Sequence, residues 1–75
     1  MDRVDTAMFI ETKIEKYIKD INKIHDYSTS IKYMDKASRL YDILKDMGFK
    51  HGYGEINGNV AEVLIDTKEN KFYKI

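Results

Sequence analysis

The 75-residue chain contains no cysteine and no proline. Without cysteine it can form neither a disulfide framework nor a thiolate zinc site, the usual supports of small secreted folds, so a reducing intracellular setting is the default expectation. A chain this short is expected to form one domain, residues 1–75, and to bury only about 60% of the surface that the unfolded chain exposes. A large internal active-site cavity is therefore not expected.

The chain also lacks an excess of charge and lacks a long apolar run. Its 13 basic and 13 acidic residues cancel, which leaves no net field to attract nucleic acid or an anionic membrane. No apolar segment approaches the roughly 20 residues needed to cross a bilayer, and the start MDRVDTAMFIETK lacks the basic and apolar blocks of a signal peptide. We expect no membrane partner and a cytoplasmic location.

A first amphipathic helix of about 20 residues is predicted between residues 6 and 27, where apolar residues recur at spacings of three and four. Thr6 or Asp5 is the expected N-cap. The opposite side of the helix, which includes Glu11, is expected to face solvent. The apolar positions are Ala7, Ile10, Ile14, Tyr17, Ile21 and Ile24.

A second helix is predicted from Ile31 or Met34 onward, because residues 28–30, Ser-Thr-Ser, favour a turn and a new N-cap. Asp35 is another capping candidate. The helix is expected to end at Gly48 in a left-handed conformation. Its apolar positions are Met34, Ala37, Leu40, Tyr41, Leu44 and Met47.

After Gly48 the apolar period changes to two, which predicts three antiparallel strands. In the preferred register a three-residue loop over 56–58 pairs Glu55 with Asn59, and a loop over 68–70 pairs Thr67 with Lys71. Both loops gather one apolar set on the face that the helices would cover. The set is Phe49, Tyr53, Ala61, Val63, Ile65, Tyr73 and Ile75.

The alternative is a two-residue type I′ turn at Asn57 and Gly58. It shifts the pairing by one residue, so that Phe49 and Tyr53 lie on one face of the sheet and Val63 and Ile65 lie on the other. The longer loop is preferred because it unites the apolar set. The predicted fold is α+β, with two helices packed on a three-stranded antiparallel meander in the order α1-α2-β1-β2-β3.

All four glycines lie between residues 48 and 58. Phosphate-binding loops need a strand before the glycines and a helix after them, whereas this order is reversed, so phosphate binding is disfavoured. Gly48 and Gly58 are explained as a helix stop and a turn residue. Gly52 and Gly54 fall inside a strand, which is typical of a bulge or of close approach by another backbone.

No catalytic, metal or cofactor site is expected. His25 near the end of the first helix suits the helix dipole. His51 is expected to be a hydrogen-bonded, partly buried side chain on the inner face. The preferred register places Glu62 and Asp66 on the other face, so no histidine–carboxylate pair is expected. The serines lack the sequence context of an activated nucleophile, and the chain is predicted not to be an enzyme.

The remaining functional candidate is the outer face of the sheet, where Phe72 and Leu64 are expected to be exposed apolar groups in a partner site. The predicted partner-binding residues are Lys50, Gly52, Gly54, Val60, Glu62, Leu64, Phe72 and Lys74. The outer strands could also accept a strand from a partner.

Two other partners are considered. A nucleic-acid site would use Lys50, Lys71, Phe72 and Lys74, although Glu62 and Asp66 on the same face count against it. A homodimer could form through Met8, Phe9 and Ile18 of the first helix.

At the level of class, the chain resembles the small accessory proteins that bacteriophages and mobile elements of AT-rich hosts encode, anti-CRISPR proteins among them. The resemblance lies in its size, its eleven lysines and ten isoleucines, and its lack of cysteine, proline and any catalytic signature. It implies a non-enzymatic protein that binds and blocks a host protein, in the host cytoplasm, without a cofactor.

Overall fold

The computed structural model describes residues 2–75. It has the predicted α+β architecture and element order. The elements are α1 (Arg3–Lys23), α2 (Tyr27–Asp46), β1 (Phe49–Ile56), β2 (Asn59–Asp66) and β3 (Lys71–Lys74). The three strands form one antiparallel sheet in the order β1-β2-β3.

The first helix begins earlier than predicted because Asp2 caps it. The Asp2 carboxylate accepts a hydrogen bond from the backbone N–H of Asp5 at 2.8 Å, which satisfies one of the donors left unpaired at a helix start. Neither Thr6 nor Asp5 is the cap, and the helix ends at Lys23.

The second helix also begins earlier than predicted. Asp26 is its N-cap and accepts hydrogen bonds from the backbone N–H of Thr29 at 3.2 Å and from the Thr29 hydroxyl at 2.5 Å. Residues 28–30 therefore form the first turn of α2, and the predicted turn there is wrong, as is Asp35 as a cap. The predicted stop is confirmed, since Gly48 follows the helix with φ of +91°.

The strand register is the alternative rather than the preferred one. Asn57 and Gly58 have φ of 53° and 80°, as a two-residue type I′ turn requires, and the pairing runs from Ile56 opposite Asn59 to Phe49 opposite Asp66. The second turn spans four residues, 67–70, and pairs Asp66 with Lys71. The preferred register is therefore wrong by one residue at both turns.

This shift divides the predicted apolar set between two faces. Phe49 and Leu64 lie on the helix-facing side and pack with Ala7, Ile14 and Leu44 in the core. Alternation along each strand then assigns the remaining positions. The helix-facing side carries Phe49, His51, Tyr53, Glu55, Val60, Glu62, Leu64, Asp66, Lys71, Tyr73 and Ile75, and the outer face carries Lys50, Gly52, Gly54, Ile56, Asn59, Ala61, Val63, Ile65, Phe72 and Lys74.

A buried ion pair accounts for the position of Asp66 on the helix-facing side. Its fully buried carboxylate accepts two hydrogen bonds from the Arg3 guanidinium, at 2.6 and 2.9 Å. The same guanidinium donates to the carbonyl of Met47 and lies 4.3 Å from the ring centre of Phe49. Arg3 thus lowers the pKa of Asp66 to about 2, and it ties the start of α1 to the end of β2.

Candidate functional site

The outer face is covered by two apolar side chains that lie flat over glycines. A β-carbon on Gly52 would lie 2.5 Å from Cδ1 of Ile65, and one on Gly54 would lie 3.3 Å from Cε2 of Phe72. Phe72 lies on β3 and Gly54 lies on β1, so the Phe72 ring crosses the central strand β2. There it lies beside Val63, which is 1% exposed. A second, small apolar layer therefore covers the side of the sheet away from the helices.

Gly52 and Gly54 do not mark a bulge. Each residue of β1 pairs with one residue of β2 without interruption. The close approach that these glycines permit is made by side chains of the same sheet, so neither glycine is bare. A β-carbon at Gly52 would force Cδ1 of Ile65 to move, and a β-carbon at Gly54 would press on the edge of the Phe72 ring.

The structure brings five of the eight predicted partner-binding residues together. Lys50, Gly52, Gly54, Phe72 and Lys74 share the outer face.

The other three, Val60, Glu62 and Leu64, lie on the helix-facing side because of the register shift. Leu64 is completely buried in the core rather than exposed, whereas Val60 is 77% exposed beyond the cover of the helices. The predicted surface patch with Leu64 in it is therefore wrong.

The outer face carries positive charge alone among the described strand residues. Lys50 and Lys74 lie on it, and the acidic strand residues Glu55, Glu62 and Asp66 all belong to the opposite side. Lys71 pairs with Asp66 and thus also belongs to the helix-facing side. The four residues predicted to bind nucleic acid are therefore divided between the two faces of the sheet. The acidic residues Glu62 and Asp66, which counted against nucleic-acid binding, are absent from the outer face.

A histidine–carboxylate cluster lies on the helix-facing side, contrary to the prediction. Nε2 of His51 contacts the Glu11 carboxylate of α1, and Nδ1 lies 3.5 Å from Oε1 of Glu62. The Tyr41 ring of α2 packs edge-on against the imidazole, with 5.2 Å between ring centres. The cluster connects β1 to both helices and to the neighbouring strand.

The environment of this cluster shifts two pKa values. Burial raises the pKa of Glu11, and the neighbouring His51 opposes that shift. Burial also raises the pKa of Tyr41, with a further contribution from Glu11 and Glu62. Since the two carboxylates approach opposite ring nitrogens of His51, they do not converge on a common metal position, and residues 2–75 contain no cluster suited to a metal ion.

Sequence reasoning missed Glu11, which is 3% exposed rather than solvated. The signal was available in its spacing, because Glu11 lies four residues after Ala7 and three before Ile14, on the same helical stripe. A charged residue on an apolar stripe calls for a partner on the facing element. The preferred register places His51 on the inner face but provides no carboxylate partner for it.

A groove of about 400 Å³ runs between the C-terminal half of α2 and the outer edge of β1. Its walls include Tyr41, Leu44 and Lys45 from the helix and His51 from the strand. Since β1 is an outer strand of the sheet, the groove lies beside unpaired backbone.

The three residues predicted to form a dimer contact on α1 do not form one stripe. Phe9 is 54% exposed and Ile18 is 41% exposed, but nine residues of helix turn them to opposite sides. Met8 packs against the core cluster. A dimer through this helix stays a prediction.

No helix within the described residues 2–75 has the length and apolar character needed to cross a membrane. No known protein family, curated protein or solved structure matches this chain.

Proposed function

We propose that the chain is a non-enzymatic protein-binding module whose outer sheet face docks onto a partner protein. The observation that carries the proposal is the flat apolar surface formed by Ile65 and the 53% exposed Phe72 over Gly52 and Gly54. Flat apolar surfaces rimmed by charge are typical of protein interaction sites.

The chemistry of this face supports one kind of partner surface. Lys50 and Lys74 flank the apolar surface, and no aspartate or glutamate of the described strands shares it. A complementary partner surface is flat and apolar at its centre and acidic at its rim. Aliphatic groups such as Ile65 suit such a surface better than they suit stacked bases.

A role as an enzyme is disfavoured by the state of the one histidine cluster. Nε2 of His51 is bound by the Glu11 carboxylate, and Nδ1 lies 3.5 Å from Oε1 of Glu62, so the imidazole is already paired with carboxylates and is not poised as a free base. The activity we propose is steric occlusion, in which the bound chain covers a surface that the partner requires for its function. In keeping with the class-level resemblance, we propose that the partner is a host defence protein and that the chain is a phage-encoded inhibitor acting in the host cytoplasm.

Charge reversal tests this proposal. The variant K50E/K74E should lose capture of a stoichiometric partner from host lysate, because it makes the rim acidic. The matched control K16E/K32E makes the same charge change on exposed helix positions and should capture the partner as the unmodified chain does. Equal capture by both variants would sink the proposal, as would the recovery of no stoichiometric partner.

The second test removes the aromatic centre. Phe72→Ala combined with Gly54→Lys should abolish capture while the protein still folds, because Phe72 lies outside the core cluster. Tyr53→Ala is the control, since Tyr53 is a 78% exposed aromatic residue on the other side of the sheet. Undiminished capture by the double variant would contradict the docking face.

Binding of single-stranded nucleic acid is the second candidate. It is favoured by the placement of Lys50, Phe72 and Lys74 on a face without acidic strand residues, because an exposed aromatic ring can stack a base while amines hold phosphates. The test is a shift of labelled single strands that weakens steeply with salt. A flat titration at low salt would end this candidate.

A further inference from the structure

The long outer edge of β1 has unpaired backbone groups along its length. The Thr67 N–H donates to the Gly48 carbonyl at 2.8 Å, so even-numbered positions of β1 direct their backbone groups toward β2. The odd-numbered positions direct theirs away from the sheet. These positions are Phe49, His51, Tyr53 and Glu55. Within the described residues, none of their backbone N–H or carbonyl groups forms a hydrogen bond outside the sheet.

The other edge of the sheet is protected, whereas this one is not. β3 has four residues and carries Lys71 and Lys74, and short, lysine-bearing strands resist pairing with another chain. β1 has eight residues, without proline, and only one lysine. The two edges of the sheet therefore differ in their capacity to accept another strand.

We propose that β1 accepts an extended segment of the partner protein as a fourth strand, and that this segment alternates apolar and acidic residues. The proposal rests on the proposed function, because it names the form in which the partner is bound. Backbone hydrogen bonds to the odd-numbered positions would supply the affinity, as in other cases of strand addition.

The alternation follows from the two sides of the edge. On the helix-facing side, an added strand would direct its side chains beside residues 49–51 toward the groove of about 400 Å³, whose apolar walls include Tyr41 and Leu44 and whose charged walls include Asp42 and Lys45. Those side chains should be apolar. On the outer face one of them would lie beside Lys50, and no acidic strand residue competes on that face, so the side chains on this side should be acidic.

The probe is a capped peptide of alternating valine and glutamate, as long as the eight residues of β1. Titrated into the isotope-labelled protein, it should shift the amide resonances of Phe49, His51, Tyr53 and Glu55 most strongly. A peptide in which lysine replaces glutamate should bind about tenfold or more weakly, because it places like charge beside Lys50. A valine–glutamate peptide of the same composition without alternation is the second control.

A backbone variant tests strand addition itself. Tyr53→Pro removes one outward N–H and leaves the β1–β2 ladder intact, and the preceding Gly52 tolerates the restriction that proline imposes. It should weaken binding about tenfold, whereas Tyr53→Ala, which keeps the N–H, should change it less than about threefold. Should the proline variant fail to fold, the amide shifts of the unmodified protein decide the question.

The inference would be overturned by no shift at millimolar peptide, by shifts that avoid the β1 edge, or by equal binding of the lysine peptide. Protection of the same four amides without peptide, together with a dimer in sedimentation, would show that a second copy occupies the edge, and it would also overturn it. Failure here with capture still sensitive to K50E/K74E would leave the outer-face proposal standing. Peptide binding at the edge with capture insensitive to that variant would refute the outer face alone.

Discussion

Leu64→Ala is expected to be among the most destabilising single substitutions in β2. Leu64 has no exposed surface and packs in the cluster with Ile14, Leu44 and Phe49. Its truncation removes apolar contacts and leaves a cavity, which typically lowers the free energy of unfolding by about 2–5 kcal/mol.

This loss is large for a chain of 75 residues. At about 0.05–0.15 kcal/mol per residue, its total stability is roughly 4–11 kcal/mol. With a urea dependence near 1 kcal/mol per M for so small a domain, the unfolding midpoint should fall by about 2 M or more. Chemical denaturation followed by circular dichroism measures this shift directly.

Val60→Ala is the matched control. It lies on the same strand and the same side of the sheet as Leu64, but it is 77% exposed, and its truncation should change the free energy of unfolding by no more than about 0.5 kcal/mol. If the two variants unfold at similar urea concentrations, the strand register described here is wrong.

Three further outcomes are expected. Arg3 lowers the pKa of Asp66 to about 2 from an ordinary 3.8, so the stability contributed by the ion pair is present above pH 3.8 and is lost as the pH falls toward 2. Asp66→Asn should remove this pH dependence from acid unfolding curves. An unchanged acid limb in that variant would contradict the ion pair. Burial raises the pKa of Glu11 above 4.5, so the stability contributed by the protonated carboxyl is complete below that pH and is lost as the pH rises through the folded-state pKa. Glu11→Gln should abolish this loss of stability. If the loss persists in the variant, the burial of Glu11 is contradicted. Gly58→Ala should lower the free energy of unfolding by about 1–2 kcal/mol from backbone strain alone, because φ is +80° and no atom lies near the new methyl group; a neutral result in thermal melts would contradict the type I′ turn.

The element order was predictable because each element has a local signal. Spacings of three and four marked both helices, and Gly48 marked the end of the second. The exact helix starts were missed because aspartates outside the apolar pattern, Asp2 and Asp26, provide the caps.

The register was not predictable from apolar patterning alone, since β2 is apolar on both sides. Val63 and Leu64 are adjacent in sequence and both buried, one on each side of the sheet. The decisive interactions join distant segments: Arg3 with Asp66, and Glu11 with His51. The type I′ preference of Asn57 and Gly58 is a local signal for the correct register, but it conflicts with the grouping of the apolar residues on one face.

Part of the candidate site was predictable from the sequence because it does not depend on which register is correct. Lys50, Gly52, Gly54, Phe72 and Lys74 stay together on one face in either register, because both strands shift relative to β2. The β2 residues of the site, Val60, Glu62 and Leu64, are the ones that change sides. The flat packing of Ile65 and Phe72 on the glycines depends on cross-strand geometry and could not be read from spacing.

Methyl cross-saturation in the complex with the captured partner tests the central proposal most directly. Saturation of the unlabelled partner should reach the methyl groups of Ile65 and Ala61 on the outer face. It should not reach Ile31 and Met34, which are exposed on α2. Transfer to Ile31 and Met34 with none at Ile65 and Ala61 would place the partner on the helices and contradict docking through the sheet.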